Sequence, residues 1–544
     1  MSDAEDSPRG SVRLADAPAQ STRHTAADPP SERSSAAPAQ QSFQTAHWGV
    51  PLAVVVVGMF MSVLDTSIVN VAVPTMQGQF SASPDDIQWV ATAYTLCLGV
   101  VVPTSAWLGE RLGLRRTYLF ALLLFSLFSA MCGTAGDLNT MVIYRILQAI
   151  PGGVIPVTCL TILYRLVPPA KLGAAMGLFG LGVVFAPGVG PTLGGYLVDY
   201  VDWRLIFYIN VPIGIIGAIA AMAVLPKFPP TPGRKFDVPG FVCIATACFA
   251  LLLAVSEGQQ WGWTGYRVLL LFAGGIDLLA LFVVIELRVK EPLLNLRVFR
   301  YWPFVNSLLL MGIVYTGLFA SVYLMPLFLQ NVQGITAWHT GLTIMPQALV
   351  MAALTPISGR LFDRIGARWL VMAGLTINGS ASLLMAQIDV DTGRLEIALR
   401  LMMFGAGLAL CFMPIMTGGM SALPPDIVSA GSAINTLVQR VTAAIGLAAI
   451  TALTTIEQAQ LLVNRSGLIH ASGADVDPRI TQMQSSGPGG LLPLFNELSH
   501  RVTTQSYSNA FMLVGICVLA AVPLAYFLPK KRPSGGGASA PVEM

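Results

Sequence analysis

The sequence predicts an all-α, polytopic membrane protein with fourteen transmembrane helices. Of its 544 residues, 54% are apolar and only 11% are charged, and the mean hydropathy is +0.68. Soluble domains carry about 25% charged residues, whereas a helix needs about 20 mostly apolar residues to cross a bilayer. Fourteen stretches meet that requirement, at 48–74, 87–107, 117–134, 139–163, 173–196, 204–226, 239–256, 267–287, 303–329, 339–358, 369–387, 397–420, 429–455 and 508–528.

Lysine and arginine are divided unequally between the two sets of loops, and this predicts the orientation of the chain. With the N-terminus inside, the inward loops and the C-terminal segment hold eighteen of these residues, and the outward loops hold six. Loops rich in Lys and Arg stay in the cytoplasm. We therefore predict a multi-pass protein of the inner cell membrane with both termini cytoplasmic.

The N-terminal segment and the cysteines show no pattern typical of a binding site. The first 46 residues are rich in Ser, Ala, Pro and charge without an apolar run, which predicts a disordered cytoplasmic tail. The seven cysteines lie in apolar stretches without a CxxC pair, so we expect buried thiols. Without a metal-ligand cluster or a phosphate-binding loop, the sequence predicts no metal, no cofactor and no nucleic-acid partner.

Two loops repeat one motif, the first after helix 2 and the second after helix 10. They read AWLGERLGLRR at 106–116 and GRLFDRIGARW at 359–369. In register, Glu110, Arg111, Gly113 and Arg115 match Asp363, Arg364, Gly366 and Arg368. Because the copies are eight helices apart, the repeat predicts two pseudo-symmetric six-helix bundles plus two inserted central helices, 7 and 8.

The repeat also predicts the domain boundaries. An N-terminal six-helix bundle occupies 47–226, a linker with helices 7 and 8 occupies 227–302, and a C-terminal six-helix bundle occupies 303–528. Residues 529–544 form a cytoplasmic tail. Within the second bundle, the polar segment 456–507 is predicted as a long extracytoplasmic loop, a candidate docking site for an external partner.

Helix 5 carries small residues and a proline at a regular spacing. The set consists of Gly177, Ala186, Gly190, Pro191, Gly194 and Gly195. Small residues let helices in a membrane approach closely, and a proline bends a helix by removing a backbone hydrogen bond.

Together these segments resemble the major facilitator superfamily and, within it, the fourteen-helix drug:proton antiporter family. The repeated loops resemble the hallmark G-x-L-A-D-R-x-G-R-R, from which Ala106, Glu110 and Leu114 depart in the first copy. Helix 5 resembles the antiporter pattern G-x8-G-x3-G-P-x2-G-G. The segments 64–74 and 203–214 resemble helix 1 and the start of helix 6 in the same family.

The resemblance implies a secondary active transporter that exports lipophilic or cationic drugs in exchange for protons by alternating access. It assigns the repeated loops to a conformational gate and the helix-5 pattern to antiport. Through the pattern R-x-x-Q-G, it assigns Arg145 and Gln148 to proton coupling. The implied partners are a small-molecule substrate, protons and the lipid bilayer.

Charged residues within the predicted helices are few. A charge at mid-bilayer costs roughly 2.5–3.5 kcal/mol on insertion scales, so such residues face a cavity or a partner. We predict that Asp65 of helix 1 and Arg145 of helix 4 form an exchangeable pair for proton coupling, with a static ion pair as the alternative. Asp277, Arg440 and the helix-bending Pro346 are candidates for the cavity.

Three other functions stay open at this point. A major facilitator exporter of another cargo, such as a lipid, siderophore, metabolite or amino acid, fits the same features because a fold does not specify a substrate. A membrane-embedded transferase is a distant alternative, since the five histidines form no spaced pair. The third is a non-transporting membrane sensor.

Overall fold

The computed structural model describes residues 48–230, 235–469 and 492–529. The long helices of these residues, besides several short helical turns, are α1 Gly49–Phe80, α2 Trp89–Val101 with its continuation Thr104–Leu112, α3 Leu114–Gly133, α4 Leu138–Leu166, α5 Leu172–Tyr200, α6 Asn210–Val224, α7 Val238–Trp261, α8 Tyr266–Arg288, α9 Trp302–Leu327, α10 Ala337–Ile365, α11 Ala367–Met385, α12 Arg394–Met420, α13 Val428–Ile469 and α14 Leu492–Ala520. The predicted tail 1–46, the middle of the predicted loop 456–507 and nearly all of the predicted tail 529–544 lie outside the described residues.

The structure confirms an all-α polytopic membrane protein. Among the described residues, twelve helices are long and apolar enough to cross a membrane, and α2 makes thirteen if its two segments, bent by 58°, form one span. The bend follows from Pro103, which cannot donate a backbone hydrogen bond. Helix α11 coincides with the eleventh of the fourteen predicted crossings. It carries Arg368 and Asn378 and is not among these candidate spans.

The two copies of the repeated motif share one local structure. In each copy a helix ends, a single glycine follows, and the next helix begins. The glycine has a positive φ in both places, +87° at Gly113 between α2 and α3 and +82° at Gly366 between α10 and α11. Other residues rarely adopt this conformation, so the glycine explains why both loops can turn so tightly.

Both loops lie at the same end of the molecule, which we call the repeat end. Helices α3 and α4 pack side by side in opposite directions, so the start of α3 lies beside the end of α4 and the start of α5. The second loop contacts that same region, because Asp363 bonds to Gly173 in the first turn of α5.

Helices α5 and α10 make the most extensive helix contact of the described chain and join its two halves. Their backbones nearly touch at the repeat end, where a Cβ on Gly173 would lie 2.4 Å from the carbonyl oxygen of Gly359. Towards the other end, a Cβ on Gly188 would lie 2.1 Å from that of Ala348. The small residues of α5 are therefore needed for this close approach.

The inserted helices lie at the side of the molecule, although they are central in the sequence. Helix α7 packs on α2 of the first half and on α13 of the second half. Helix α8 packs mainly on α7, and most of its side chains are exposed. The insertion thus extends the molecule outward at the α2–α13 contact.

The helices extend well into the predicted loop 456–507. Helix α13 continues to Ile469, and α14 begins at Leu492. The reason is local: the sequence IEQAQLLVN after Thr455 contains good helix formers and no Gly or Pro. Asn509 of α14 also donates a hydrogen bond to Glu457 of α13, which fixes the extension to its neighbour.

Candidate functional site

A buried ion pair lies at the centre of the first half. Nη1 of Arg145 in α4 lies 2.7 Å from Oδ2 of Asp65 in α1, and the two residues are 1% and 0% exposed. Gln148 joins them: its Nε2 donates to Oδ1 of Asp65 at 3.0 Å, and its Oε1 accepts from Arg145 at 2.7 Å. The structure thus brings together the three residues predicted for proton coupling.

Asn210 of α6 completes this network, and the sequence did not indicate it as a site residue. Its Nδ2 donates to Oδ1 of Asp65 at 2.9 Å and to Oγ of Ser129 at 3.1 Å. The carboxylate of Asp65 therefore accepts from three side chains on two other helices. The only sequence signal was a polar residue within the family-like segment 203–214.

Tyr94 of α2 covers the other side of Arg145. The guanidinium carbon lies 3.8 Å from the centre of the Tyr94 ring, and Nε donates to the carbonyl of Val90 at 3.3 Å. Such stacking favours a desolvated cation. Among the described residues, the buried hydroxyl of Tyr94 has no hydrogen-bond partner. The pair is closed to solvent, so a proton can reach Asp65 only if these helices move.

A second feature is a small cavity between the two halves. Five described residues from each half line it: Met59, Pro156, Leu160, Phe179 and Val183, with Tyr315, Phe412, Met416, Thr436 and Gln439. The lining is mostly apolar and aromatic, as in sites for lipophilic ligands. The hydroxyl of Tyr315 donates to Oε1 of Gln439 at 2.9 Å, which provides a polar point on an otherwise apolar wall.

Arg440 is not among the residues that line the cavity, but it is adjacent to one of them in the sequence. It follows Gln439 in α13 and is four residues after Thr436, so the three share one face of the helix. Arg440 is half-buried and lies within electrostatic range of Tyr315 and Tyr94. In the described part of the chain, no carboxylate lies within salt-bridge distance of its guanidinium.

Two other candidates for the cavity do not lie in it. Asp277 is exposed on α8, because that helix packs on α7 at the side of the molecule and not on the central helices. Pro346 is half-buried inside α10 and is not among the residues that line the cavity. A transport role for Asp277 and Pro346 stays a prediction.

The second copy of the repeated motif joins the two halves. Oδ1 of Asp363 accepts from the backbone N–H of Gly173 at 2.9 Å, and Oδ2 accepts from Ala174 at 3.0 Å. These are unpaired donors in the first turn of α5, where the helix dipole also favours an anion. Beside it, Arg364 is exposed, and the guanidinium of Arg368 lies 4.1 Å from the Tyr526 ring centre.

The first copy makes different contacts. Arg115 donates to the backbone carbonyl of Met222 in α6, so this side chain binds within its own half. Gly113 packs so closely on the segment after α6 that a Cβ would lie 2.7 Å from the carbonyl oxygen of Phe228. Arg111 is exposed, and Glu110 is half-buried near the end of α2.

The helix-5 pattern serves two interfaces. A Cβ on Gly177 would lie 2.9 Å from Pro356 of α10, whereas Cβ atoms on Gly190 and Gly194 would meet Ser67 and Ile68 of α1. Ala186 is fully buried and accepts a hydrogen bond from Ser67 at 3.4 Å. Pro191 lies inside the helix, followed by Gly194 and Gly195. The pattern thus fixes α5 between both halves.

Comparison with known proteins identifies this architecture. The family model described as Major Facilitator Superfamily matches residues 55–447. The chain belongs to the major facilitator superfamily. The major facilitator fold is also that of the proton:xylose symporter XylE, with a TM-score of 0.56 at 13% identity over 89% of this chain and 96% of that one.

Several bacterial relatives are similar over most of their length. The chain is 34% identical over 493 residues to the MFS-type transporter YhcA of Bacillus subtilis, covering 88% of this chain and 93% of the relative. It is 34% identical over 392 residues to multidrug resistance protein Stp of Mycobacterium tuberculosis, covering 72% and 73%. It is 29% identical over 503 residues to the tetracenomycin C resistance and export protein of Streptomyces glaucescens, covering 89% and 92%.

These findings confirm the predicted family. The protein is a multi-pass membrane transporter of small molecules and not an enzyme, which excludes the transferase alternative. Its relatives at about 30% identity include proteins named for multidrug resistance.

Proposed function

We propose that this transporter exports lipophilic small molecules in exchange for protons by alternating access. The observation that carries the proposal is the apolar cavity between the halves, which is lined in part by α1 and α4, the two helices that hold the sealed Asp65–Arg145 pair. The names of the relatives, which include multidrug resistance proteins, support export of drug-like compounds. The lining supports the lipophilic part of the predicted substrate class.

In the proposed topology the chain crosses the inner cell membrane fourteen times, and both termini lie in the cytoplasm. Fourteen helices at the predicted places support it, as does the location of both repeated loops at one end. Residues 47–226 and 303–528 form the two bundles that rock against each other. The repeat end faces the cytoplasm, since it carries Arg111, Arg115 and Arg364.

Asp65 and Arg145 couple transport to protons through their charges. Adding a proton to Asp65 removes the charge that compensates Arg145 and leaves a buried, unpaired guanidinium, which is strongly unfavourable. Protonation and separation of the pair must therefore occur together. Gln148 and Asn210 hold the carboxylate when the pair is closed.

The motif around Asp363 closes the cytoplasmic gate. The gate is shut while the carboxylate caps the first turn of α5, and it opens when α5 and α10 separate at Gly173 and Gly359. A cap of this kind contributes about 0.5–2 kcal/mol, enough to bias an equilibrium between two states without locking it.

Asp65→Asn tests proton coupling. We expect a lipophilic substrate to collapse a pH gradient across proteoliposomes containing the wild-type protein, and Asp65→Asn to abolish that response because the site no longer carries a proton. Protein-free liposomes correct for passive leakage, and a pH-sensitive acridine dye reports the gradient. A panel of lipophilic drugs provides the substrates.

Asp277→Asn is the matched control, since it removes a carboxylate from a membrane helix away from the cavity. It should retain the wild-type response. Proton flux in Asp65→Asn equal to that of the wild type, at equal protein content, would contradict the proposed coupling.

A further inference from the structure

We infer that the central cavity takes lipophilic organic anions, with an apolar ring body and one carboxylate, and that Arg440 recognises the negative charge. The inference rests on the proposed export function and narrows its substrate class. It departs from the expectation of cationic cargo.

The charge balance at the centre of the molecule is the first argument. Asp65 and Arg145 compensate each other within hydrogen-bond distance, so together they add little field at the cavity. None of the ten described residues that line the cavity is acidic. Arg440 therefore leaves the cavity with an excess positive charge, and an apolar lining of low dielectric strengthens its effect on a ligand.

The position of Arg440 is the second argument. It lies twelve residues after the first residue of α13, Val428, or about 18 Å along the helix axis. The side chain is thus far from the repeat end, and it is half-buried among the central helices. The described chain gives it no carboxylate, although buried cations in proteins are usually paired.

The chemistry of the side chain is the third argument. A guanidinium binds a carboxylate through two parallel hydrogen bonds, which adds geometric selectivity to charge. Gln439 and Thr436 lie on the same face and offer further polar contacts. The hydroxyl of Tyr315 already bonds to Gln439, which holds that amide at the edge of the cavity.

The remaining lining suits the body of such a ligand. Phe179 and Phe412 present aromatic rings, and Met59 and Met416 present flexible side chains that adapt to different shapes. The space between these side chains is small in this arrangement of the halves, which favours a compact ligand. A compact bicyclic acid is therefore a suitable probe.

Binding of three probes with one ring system tests the inference. The probes are radiolabelled 1-naphthaleneacetic acid, its neutral amide, and the cationic (1-naphthylmethyl)trimethylammonium, measured by equilibrium binding to full-length protein in nanodiscs at neutral pH. We expect the wild type to bind the acid at least about tenfold more tightly than the amide, because only the acid forms a charged hydrogen bond with Arg440. The cation should bind most weakly.

Substitution of Arg440 identifies the residue. Arg440→Gln should weaken binding of the acid at least about tenfold and leave the amide unchanged, whereas Arg440→Lys should give an intermediate loss because it keeps the charge without the planar fork. Arg400→Gln is the matched control, since Arg400 pairs with Glu396 near the start of α12. It should bind all three probes as the wild type does.

Four results would overturn the inference: the cation binds as tightly as the acid, no probe binds, Arg440→Gln leaves the acid unaffected, or Arg440→Gln weakens all three probes equally. The last result would assign Arg440 to folding or coupling. The proposed function is tested separately by the pH-gradient assay. It stands if lipophilic compounds drive proton flux while the acid fails to bind, and it fails if no compound drives proton flux.

Discussion

The two halves of this transporter share a fold and a repeated loop, but they hold their central charges in opposite ways. In the first half, Asp65 compensates Arg145, and Gln148 and Asn210 complete the hydrogen bonds of the carboxylate. In the second half, Arg440 follows the cavity residue Gln439, and the described chain places no carboxylate within salt-bridge distance of it. In the proposed cycle the first pair opens to take up a proton, whereas an unpaired cation can bind a ligand, so the difference separates the two proposed tasks.

The largest difference in stability should separate alanine substitutions of the two arginines. Arg145→Ala leaves Asp65 buried without its cation, and breaking a buried pair costs about 3–5 kcal/mol. Arg440→Ala leaves no such charge behind and should cost far less. Thermal unfolding of the detergent-solubilised protein measures both.

The double variant Asp65→Asn with Arg145→Ala sharpens this test. It should regain part of the lost stability, because the uncompensated carboxylate is gone. Equal destabilisation by Arg145→Ala and Arg440→Ala would contradict the contrast between the halves.

A smaller difference should separate two buried asparagines. Asn210 donates two hydrogen bonds, one of them to the charged Asp65, while Asn378 in α11 donates one at 3.2 Å to the carbonyl of Phe404. Both residues are fully buried. Hydrogen bonds to charged groups contribute about 1.5–3 kcal/mol, against about 1 kcal/mol for neutral ones. Asn210→Ala should therefore lower the unfolding temperature more than Asn378→Ala, and the reverse order would argue against the Asp65 network.

The smallest effect concerns the contact between the halves. Asp363→Asn removes the negative charge near the N-terminus of α5 and one of the two accepting oxygens, and should destabilise the closed end by about 1 kcal/mol. Hydrogen exchange at residues 172–176 should then become faster. Asp277→Asn is a control without a contact at this end, and it should leave the exchange unchanged. Unchanged exchange in Asp363→Asn would show that the cap does not hold the gate.

Much of this arrangement could be predicted from the sequence. Asp65, Arg145 and Gln148 stood out because polar residues are rare in apolar helices, and the structure joins all three. The repeated loops were equally clear, because the positive φ at positions 113 and 366 favours glycine, and the same glycine therefore occurs in both copies of the motif. Asn210 and Tyr94 were missed because their roles depend on which helices pack together.

Other features depended on the tertiary arrangement. Helix α8 is apolar on every face, so its sequence could not show that Asp277 points away from the central helices. The extension of α13 beyond residue 455 was missed because the polar residues after this position were taken to indicate a loop. Polar residues that favour helices can continue a helix outside the membrane. The cavity itself combines residues from six helices, and no short segment encodes it.

Helix α7 touches both halves at the α2–α13 contact, while α8 touches mainly α7. In the proposed rocking of the halves, the distance between α2 and α13 changes, and α7 must tilt or slide with it. Helix α8 then moves through the surrounding lipid together with α7. In that motion, the thickness and lateral pressure of the bilayer act on the proposed transport cycle through these two inserted helices.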